Sequence, residues 1–307
     1  MSDDARDIPS GLNTALVLGV VSCQCLLLWT ASHCDGGWML AVVAVMFSLL
    51  FLTSYALMHE ASHGALHRLS AFNWALGALA GATFPTSATM MRVTHAVHHR
   101  CNRTDHEMFD CYYLGDRVWL KRAQWYSILT GMFYLIIPVG AVLVGFLRPL
   151  LLTRVFKRTR SSSVLYDDFD GRTLWLVRLE CLVVASAFVL LFSNDVLEPG
   201  PTVLLFALGG LHWSTRQYVT HAWSRRDVIH GAHNLTAGPL MRVVLLYGHW
   251  DLVHHQHPTS SWIELPRLGT TSVAPIVFWR QYLSLWRGPR PATEPSPKVL
   301  PDLSVAR

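Results

Sequence analysis

The sequence predicts an all-α, polytopic membrane protein built as a single domain over residues 1–307. Three observations lead there. Of the 307 residues, 51% are hydrophobic and only 15% are charged, against about 25% charged in a soluble domain. Mean hydropathy is +0.30. Several apolar runs approach the ~20 residues a helix needs to cross a bilayer. Disorder, coiled coil and collagen-like fibre are excluded by the same composition. One feature stands apart: 16 histidines nearly match the 20 acidic residues, and imidazole is a costly side chain to place in lipid.

The elements follow in order. A head of residues 1–10, with three Asp and one Arg, lacks the basic start of a cleavable signal, so the run Leu12 to Ser32 reads as a retained helix. Trp38 to Met58 is the second crossing. Leu174 to Phe192 and Thr202 to Tyr218 form a further pair, joined by a short stretch of turn formers from Ser193 to Pro201. Two other apolar stretches are interrupted: Phe72 to Met91 by Gly77, Gly81 and Pro85, and Trp125 to Leu147 by Pro138 and Gly140. A single crossing by either would separate the histidine clusters onto opposite membrane faces. Both are therefore expected to be re-entrant or interfacial, leaving four crossings.

Sidedness follows from charge. Arg148, Arg154, Lys157, Arg158 and Arg160 crowd one loop, which the positive-inside rule assigns to the cytoplasm together with both termini. That arrangement leaves only His33 in an outer turn. The net charge of +5 then reflects basic loops beside an anionic leaflet. No basic stripe with interleaved aromatics suggests nucleic acid. The six cysteines show no paired spacing and read as packing residues. The stretch 288–307 is Pro-rich and is expected to be a loose tail.

The histidines cluster at helical spacing. His59 and His63 are an i, i+4 pair on one helix face. In His95, His98 and His99, the i+3 and i+4 residues return to the face of the first. The third cluster runs His249, Asp251, His254, His255, with Asp251 where the second cluster has a histidine. His221 stands alone beyond the fourth crossing. Eight or more imidazoles with a carboxylate exceed the four ligands of a closed zinc site and suit two metal ions. Imidazole suits iron, zinc or copper, and an open redox metal is what oxygen chemistry requires. His59-Glu60-x-x-His63 also matches the HExxH pattern of zinc proteases, with Glu60 as general base. That reading leaves the other two clusters without a role. A metal-binding or sensory membrane protein without turnover is the non-enzymatic rival.

The order HxxxH, HxxHH and a third His-rich box resembles the membrane fatty acid desaturase superfamily, which includes hydroxylases and ketolases. The resemblance extends from Trp38 to Leu268. It is strengthened by His254-His255-x-x-Pro258, Trp262, and Leu265 to Leu268, and by His221 after the last helix. It implies four membrane helices under a cytosolic cap, two iron ions and O2 as oxidant. It also implies a fatty-acyl or lipid-like substrate and electrons from a separate ferredoxin-like or cytochrome-like donor. By position, His59, His63, His95, His98, His99, His254 and His255 match the ligands, and His221 the additional one. Box three departs from the pattern: Asp251 replaces its first histidine, and His249 stands where Asn is usual. Either Asp251 binds iron directly, or His249 does while Asp251 orients a ligand. Desaturation is the expected outcome, with hydroxylation, ketolation or terminal-alkene-forming decarboxylation as alternatives. Asp105, His106 and Glu107 follow box two as solvated or ligand-orienting residues. Arg178 is expected to snorkel, while Glu180, an acid inside an apolar run, has no role in the sequence reading.

Overall fold

The computed structural model describes residues 7–158, 160, 164–269 and 273–301. Two long antiparallel helices begin it, α1 (Ser10–His33) and α2 (Gly37–Ser62). At about 1.5 Å per residue, their 24 and 26 residues exceed the thickness of a hydrocarbon core. Next come α3 (Ser70–Ala82) and α4 (Ala88–Cys101). These are too short to cross singly, and they form a hairpin whose turn is buried at Thr83, Phe84, Thr86 and Ser87. In that turn Thr83 Oγ1 lies 3.3 Å from Ser54 Oγ of α2. The chain thus enters the bundle and leaves on the side it came from.

A short strand, β1 (Cys111–Tyr112), precedes α5 (Val118–Leu129) and a 3-10 turn leading into α6 (Ile136–Leu151). The interruption falls at Gly131, whose φ of +86° favours glycine, rather than at Pro138. Pro138 sits in the first turn of α6, where a helix has no partner for its N–H groups anyway. The bend lies at Leu147, ahead of Pro149. Proline leaves the carbonyl four residues back without a donor; that carbonyl, of Gly145, accepts Arg178 Nε of α7 (Gly171–Ser193) at 2.5 Å. Arg178, exposed on α7, is thereby tied to a neighbouring helix.

Among the described residues, four helices are long and apolar enough to cross a membrane: Ser10–His33, Gly37–Ser62, Met132–Leu151 and Gly171–Ser193. The count is the expected one, but the membership differs. The stretch expected over 202–218 is α8 (Pro199–Ser214), only 16 residues long, and the chain leaves the helix at Thr215. Contacts show where Met132–Leu151 goes. Its start touches the buried hairpin turn, Tyr134 Oη donating to the Phe84 carbonyl at 3.4 Å. Gly210 of α8 makes room there, since a Cβ at that position would fall 2.1 Å from the Tyr134 ring. Its far end returns to the start of α7, where Arg148 donates to the Asp167 carbonyl. Arg100, at the end of α4, pairs with Asp168, so that end is the histidine end. The opposite end is marked by Glu198 N–H donating to Ser32 Oγ.

The remaining elements form a cap: α9 (Pro239–Val244), α10 (Asp251–Gln256), α11 (Leu265–Gly269), α12 (Phe278–Leu285) and β2 (Arg290–Pro291). The expectation of a loose tail is corrected for residues 288–301. β2 pairs in parallel with β1, Cys111 opposite Arg290 and Tyr112 opposite Pro291. Leu300 N–H donates to the Arg100 carbonyl. Prolines exclude helix here, yet leave the intervening N–H groups of Arg290 and Ala292 free to pair with Asp110 and Tyr112. Residues 302–307, and residues 1–6 of the head, lie outside the described residues.

Candidate metal centre

Four separate pieces of chain converge at the histidine end. The last turn of α2 supplies His59, and His63 follows at its C-cap. On α4 lie His95, His98 and His99. His221 sits in the turns after α8, buried at 5% exposure. α10 begins at Asp251 and carries His254 and His255. Six residues are too few for a self-supporting helix, so tertiary ties hold α10. Asn234 Oδ1 accepts Val253 N–H at 3.3 Å.

Their donor atoms fall into two groups. His59, His63, His95, His99 and His254 form one, and His98, His221 and His255 the other; within each, the atoms lie within 4.8 Å of one another. Imidazole nitrogens meet head to head: His63 and His95 at 2.8 Å, His95 and His99 at 3.0 Å, His99 and His254 at 3.1 Å, His98 and His255 at 3.3 Å. Burial first, then the mutual repulsion of the rings, holds the pKa of His95, His99, His254 and His255 well below the ordinary imidazole range. They are neutral lone-pair donors.

Asp251 adjoins the second group, its Oδ2 3.2 Å from His221 Nε2. This is no ordinary ion pair. Burial, followed by the charge of His98, depresses His221 to about 3, so the ring is neutral and has one N–H for two acceptors. The Gly231 carbonyl lies 3.1 Å from its Nδ1, and Asp251 faces the other nitrogen. One N–H cannot serve both. A cation between Nε2 and the carboxylate, or a proton on the carboxyl itself, resolves the conflict, and 3.2 Å is about the separation of neighbouring donors around an ion bonded at ~2.1 Å. Asp251 Oδ2 is also buried without a hydrogen-bond donor. Burial pushes this carboxyl up, opposed by a hydrogen bond from Thr220 and by His98. The donor set fits metal.

His249 falls elsewhere. It is 5% exposed, and its ring lies against Tyr247 and Trp250. Burial, then Arg242 and Arg216, lowers it to about 4. It belongs to neither group of converging donors.

A surrounding layer orients the rings. Glu107 Oε2 lies 2.7 Å from His98 Nδ1. Burial alone would lower His98, but Glu107 and, further off, Asp251 raise its pKa instead. Asp105 is bound to Arg226 and Tyr113, and His106 Nδ1 to the Arg160 carbonyl. Glu60 Oε2 accepts Trp262 N–H at 3.1 Å, which ties the second helix to the cap, and its Oε1 lies 3.9 Å from His59 Nδ1. His67 stacks on Phe72, and His212 meets Ser48.

The residue sequence reasoning left without a role is Glu180. It is 6% exposed, and both oxygens are occupied. Ser87 Oγ donates at 2.5 Å and Thr89 N–H at 3.1 Å to Oε2; Thr89 Oγ1 at 2.6 Å and Trp74 Nε1 at 2.9 Å reach Oε1. Ser87 is itself the N-cap of α4, accepting from Met90 N–H. A carboxylate of α7 therefore anchors the start of the helix that carries three of the histidines, where the helix dipole also favours negative charge.

The description of one protein family matches this arrangement. The family model for fatty acid desaturases matches residues 36–284, a span holding every histidine of both groups. No curated protein matches the chain. With most of its length covered and its histidines gathered at one end of an apolar bundle, the chain belongs to the fatty acid desaturase family.

Proposed function

We propose that the chain is a di-iron oxidoreductase that uses O2 to oxidise an unactivated C–H bond of a fatty-acyl or lipid-like substrate, with desaturation as its principal outcome. The observation that carries this is the pair of donor groups, five imidazoles in one and three with a carboxylate beside them in the other. Such a set of imidazoles suits iron. In this reading His59, His63, His95, His99 and His254 hold one ion; His98, His221, His255 and Asp251 hold the second. His249 is left as a buried neighbour. Bound iron would supply the activation of O2 that organic side chains cannot perform.

The protein's own residues do the rest. Glu107 and the Gly231 carbonyl fix the rings of His98 and His221, so that each offers Nε2 to the metal. Burial keeps His95, His99, His221, His254 and His255 unprotonated at neutral pH. The reaction balances when the substrate gives up two hydrogens and a separate donor gives two electrons, with two protons, while O2 becomes two waters. Oxygen insertion, giving an alcohol, is the second product class, favoured over proteolysis because a zinc protease site has no use for two donor groups. The basic loop holding Arg148, Arg154 and Lys157 supports a cytoplasmic position for the metal end and both termini.

The test is metabolite and lipid profiling of cells expressing the chain beside its His98→Ala and Asp251→Ala variants, with iron and zinc measured on purified protein. A new unsaturated or hydroxylated product that needs O2 and vanishes in His98→Ala supports the reading. One zinc per chain with peptide hydrolysis overturns it.

A further inference from the structure

On the cap, away from the membrane helices, β1, the turn 223–226 and residues 290–294 bound a cleft of about 190 Å³. Arg103, Arg226 and Arg290 line it, against one carboxylate, Glu294. Two of the guanidinium groups are used up internally. Arg103 holds Asp110 at 2.7 Å, the Tyr218 hydroxyl and the Ser224 carbonyl. Arg226 holds Asp105, Tyr113 and the carbonyls of Arg103 and Glu294. Arg290 is different. It is exposed, pairs with no carboxylate among the described residues, and lies 3.6 Å over the ring of Trp223. Arg225 and Arg287 are exposed on the flanking chain.

Behind Trp223 a line of aromatic rings runs inward. Trp223 and Trp125 have centroids 6.2 Å apart, Trp125 and Tyr218 5.9 Å, and Tyr218 and His221 5.7 Å. Trp125 is fully buried, and Tyr218 is fixed at both ends of its hydroxyl by Arg103 and the Glu107 carbonyl. His221 belongs to the second donor group. A surface ring under an unpaired arginine is thus joined, ring against ring, to the candidate metal centre.

We infer that this cleft is the docking site of a one-electron carrier protein with an acidic face, and that Trp223, Trp125 and Tyr218 are the medium through which its electron reaches the metal beside His221. The inference rests on the oxidoreductase reading above. In each transfer the carrier's redox centre loses one electron and the metal gains one; no bond forms or breaks, and two visits supply the two electrons of a turnover. The charge pattern argues for an acidic partner, because unpaired arginines at a rim steer an oppositely charged protein and set its orientation. Arg290 contributes attraction, and Trp223 contributes the contact through which the electron enters.

The test uses the full chain in nanodiscs and two probes, an acidic [2Fe–2S] ferredoxin and an acidic soluble haem cytochrome. Calorimetry on metal-free chain with oxidised carrier reads docking alone. Binding of at least one carrier is expected, weakening steeply between low and high salt, and about tenfold weaker in Arg290→Glu. On iron-loaded chain, stopped-flow absorbance reads reduction by saturating carrier and, separately, by dithionite. Trp223→Leu is expected to slow the carrier-driven rate at least tenfold while leaving the dithionite-driven rate and metal content unchanged. Trp125→Phe, which keeps a ring, is expected to slow it less. Binding of neither carrier, binding indifferent to Arg290→Glu, or an unchanged carrier-driven rate in Trp223→Leu overturns the inference. A wild-type chain that takes up no reducible metal overturns the oxidoreductase reading instead, while the calorimetry still reports on docking.

Discussion

A single residue makes this centre unlike a set built of histidine alone. Asp251 brings a carboxyl to a group whose other members are rings, and it meets His221 at 3.2 Å. Replacing it by Asn keeps the shape and removes the charge. Asp251→Asn is expected to leave the five-histidine ion in place and empty the second site, so that elemental analysis falls from two metal ions per chain towards one. Glu107 acts at one remove. Glu107→Gln, losing the charged partner of His98, is expected to weaken metal binding at the second site roughly 10–100-fold, measured by competition with a chelator. The two variants separate a ligand from a group that orients one. Asp251 could be marked from sequence because helical spacing aims it with His254 and His255. Glu107 could not be paired with His98, because the chain over the nine positions that separate them leaves the helix and turns back, and no periodicity describes that path.

At the scale of elements, the site depends on helices held by their ends. α4 carries three histidines, and its first turn is fastened to α7 by Glu180. Removing the carboxylate in Glu180→Ala strands Ser87, Thr89 and Trp74 in a buried place, at a cost on the order of 2–4 kcal/mol. The expected result is a lower melting temperature together with a loss of metal in both groups, since α4 serves both. Glu180→Gln, which retains acceptors, should lose less. Sequence reading found the helix but not its anchor. Partners 91 and 93 residues apart carry no spacing signal, and an acid inside an apolar run has no local motif. The interrupted stretches were half legible. Glycines and Pro85 marked the hairpin of α3 and α4 correctly, whereas Pro138 marked no break, since a proline in a first turn costs the helix nothing.

Across the whole molecule, membrane bundle and cap are joined both by the donors and by ties such as Thr53 to the Val244 carbonyl and Asn13 and Glu60 to Trp262. His98 and His99 come from a bundle helix, His255 and His254 from the cap, and their nitrogens meet head to head. Such crowding of lone pairs is unfavourable until a cation occupies the gap. Metal binding should therefore add to stability by mass action, about 4 kcal/mol at a thousandfold excess over the dissociation constant. Chelation is expected to lower the melting temperature of the cap more than that of the bundle, as hydrogen exchange would resolve, and ferrous iron to restore both. The composition announced the bundle, because lipid demands long apolar runs. The cap was less legible: its short helices and the pairing of β2 with β1 rest on contacts distant in sequence, to which a Pro-rich stretch gives no clue.

The two groups also differ in when the growing chain can complete them. His59, His63, His95 and His99 all precede residue 100, whereas the fifth member, His254, and most of the second group arrive far later. Chains emerge from the ribosome N-terminus first, at about 5–20 residues per second. For several seconds, then, four of the five donors of the first group are made while the fifth is not. Four is the ligand number zinc prefers, and divalent copper and zinc outcompete ferrous iron at nitrogen sites. The protein is thus exposed to mis-metallation during its own synthesis. A chain truncated after residue 248 and expressed in zinc-rich medium is expected to purify with zinc, and the full chain from the same medium with a higher share of iron.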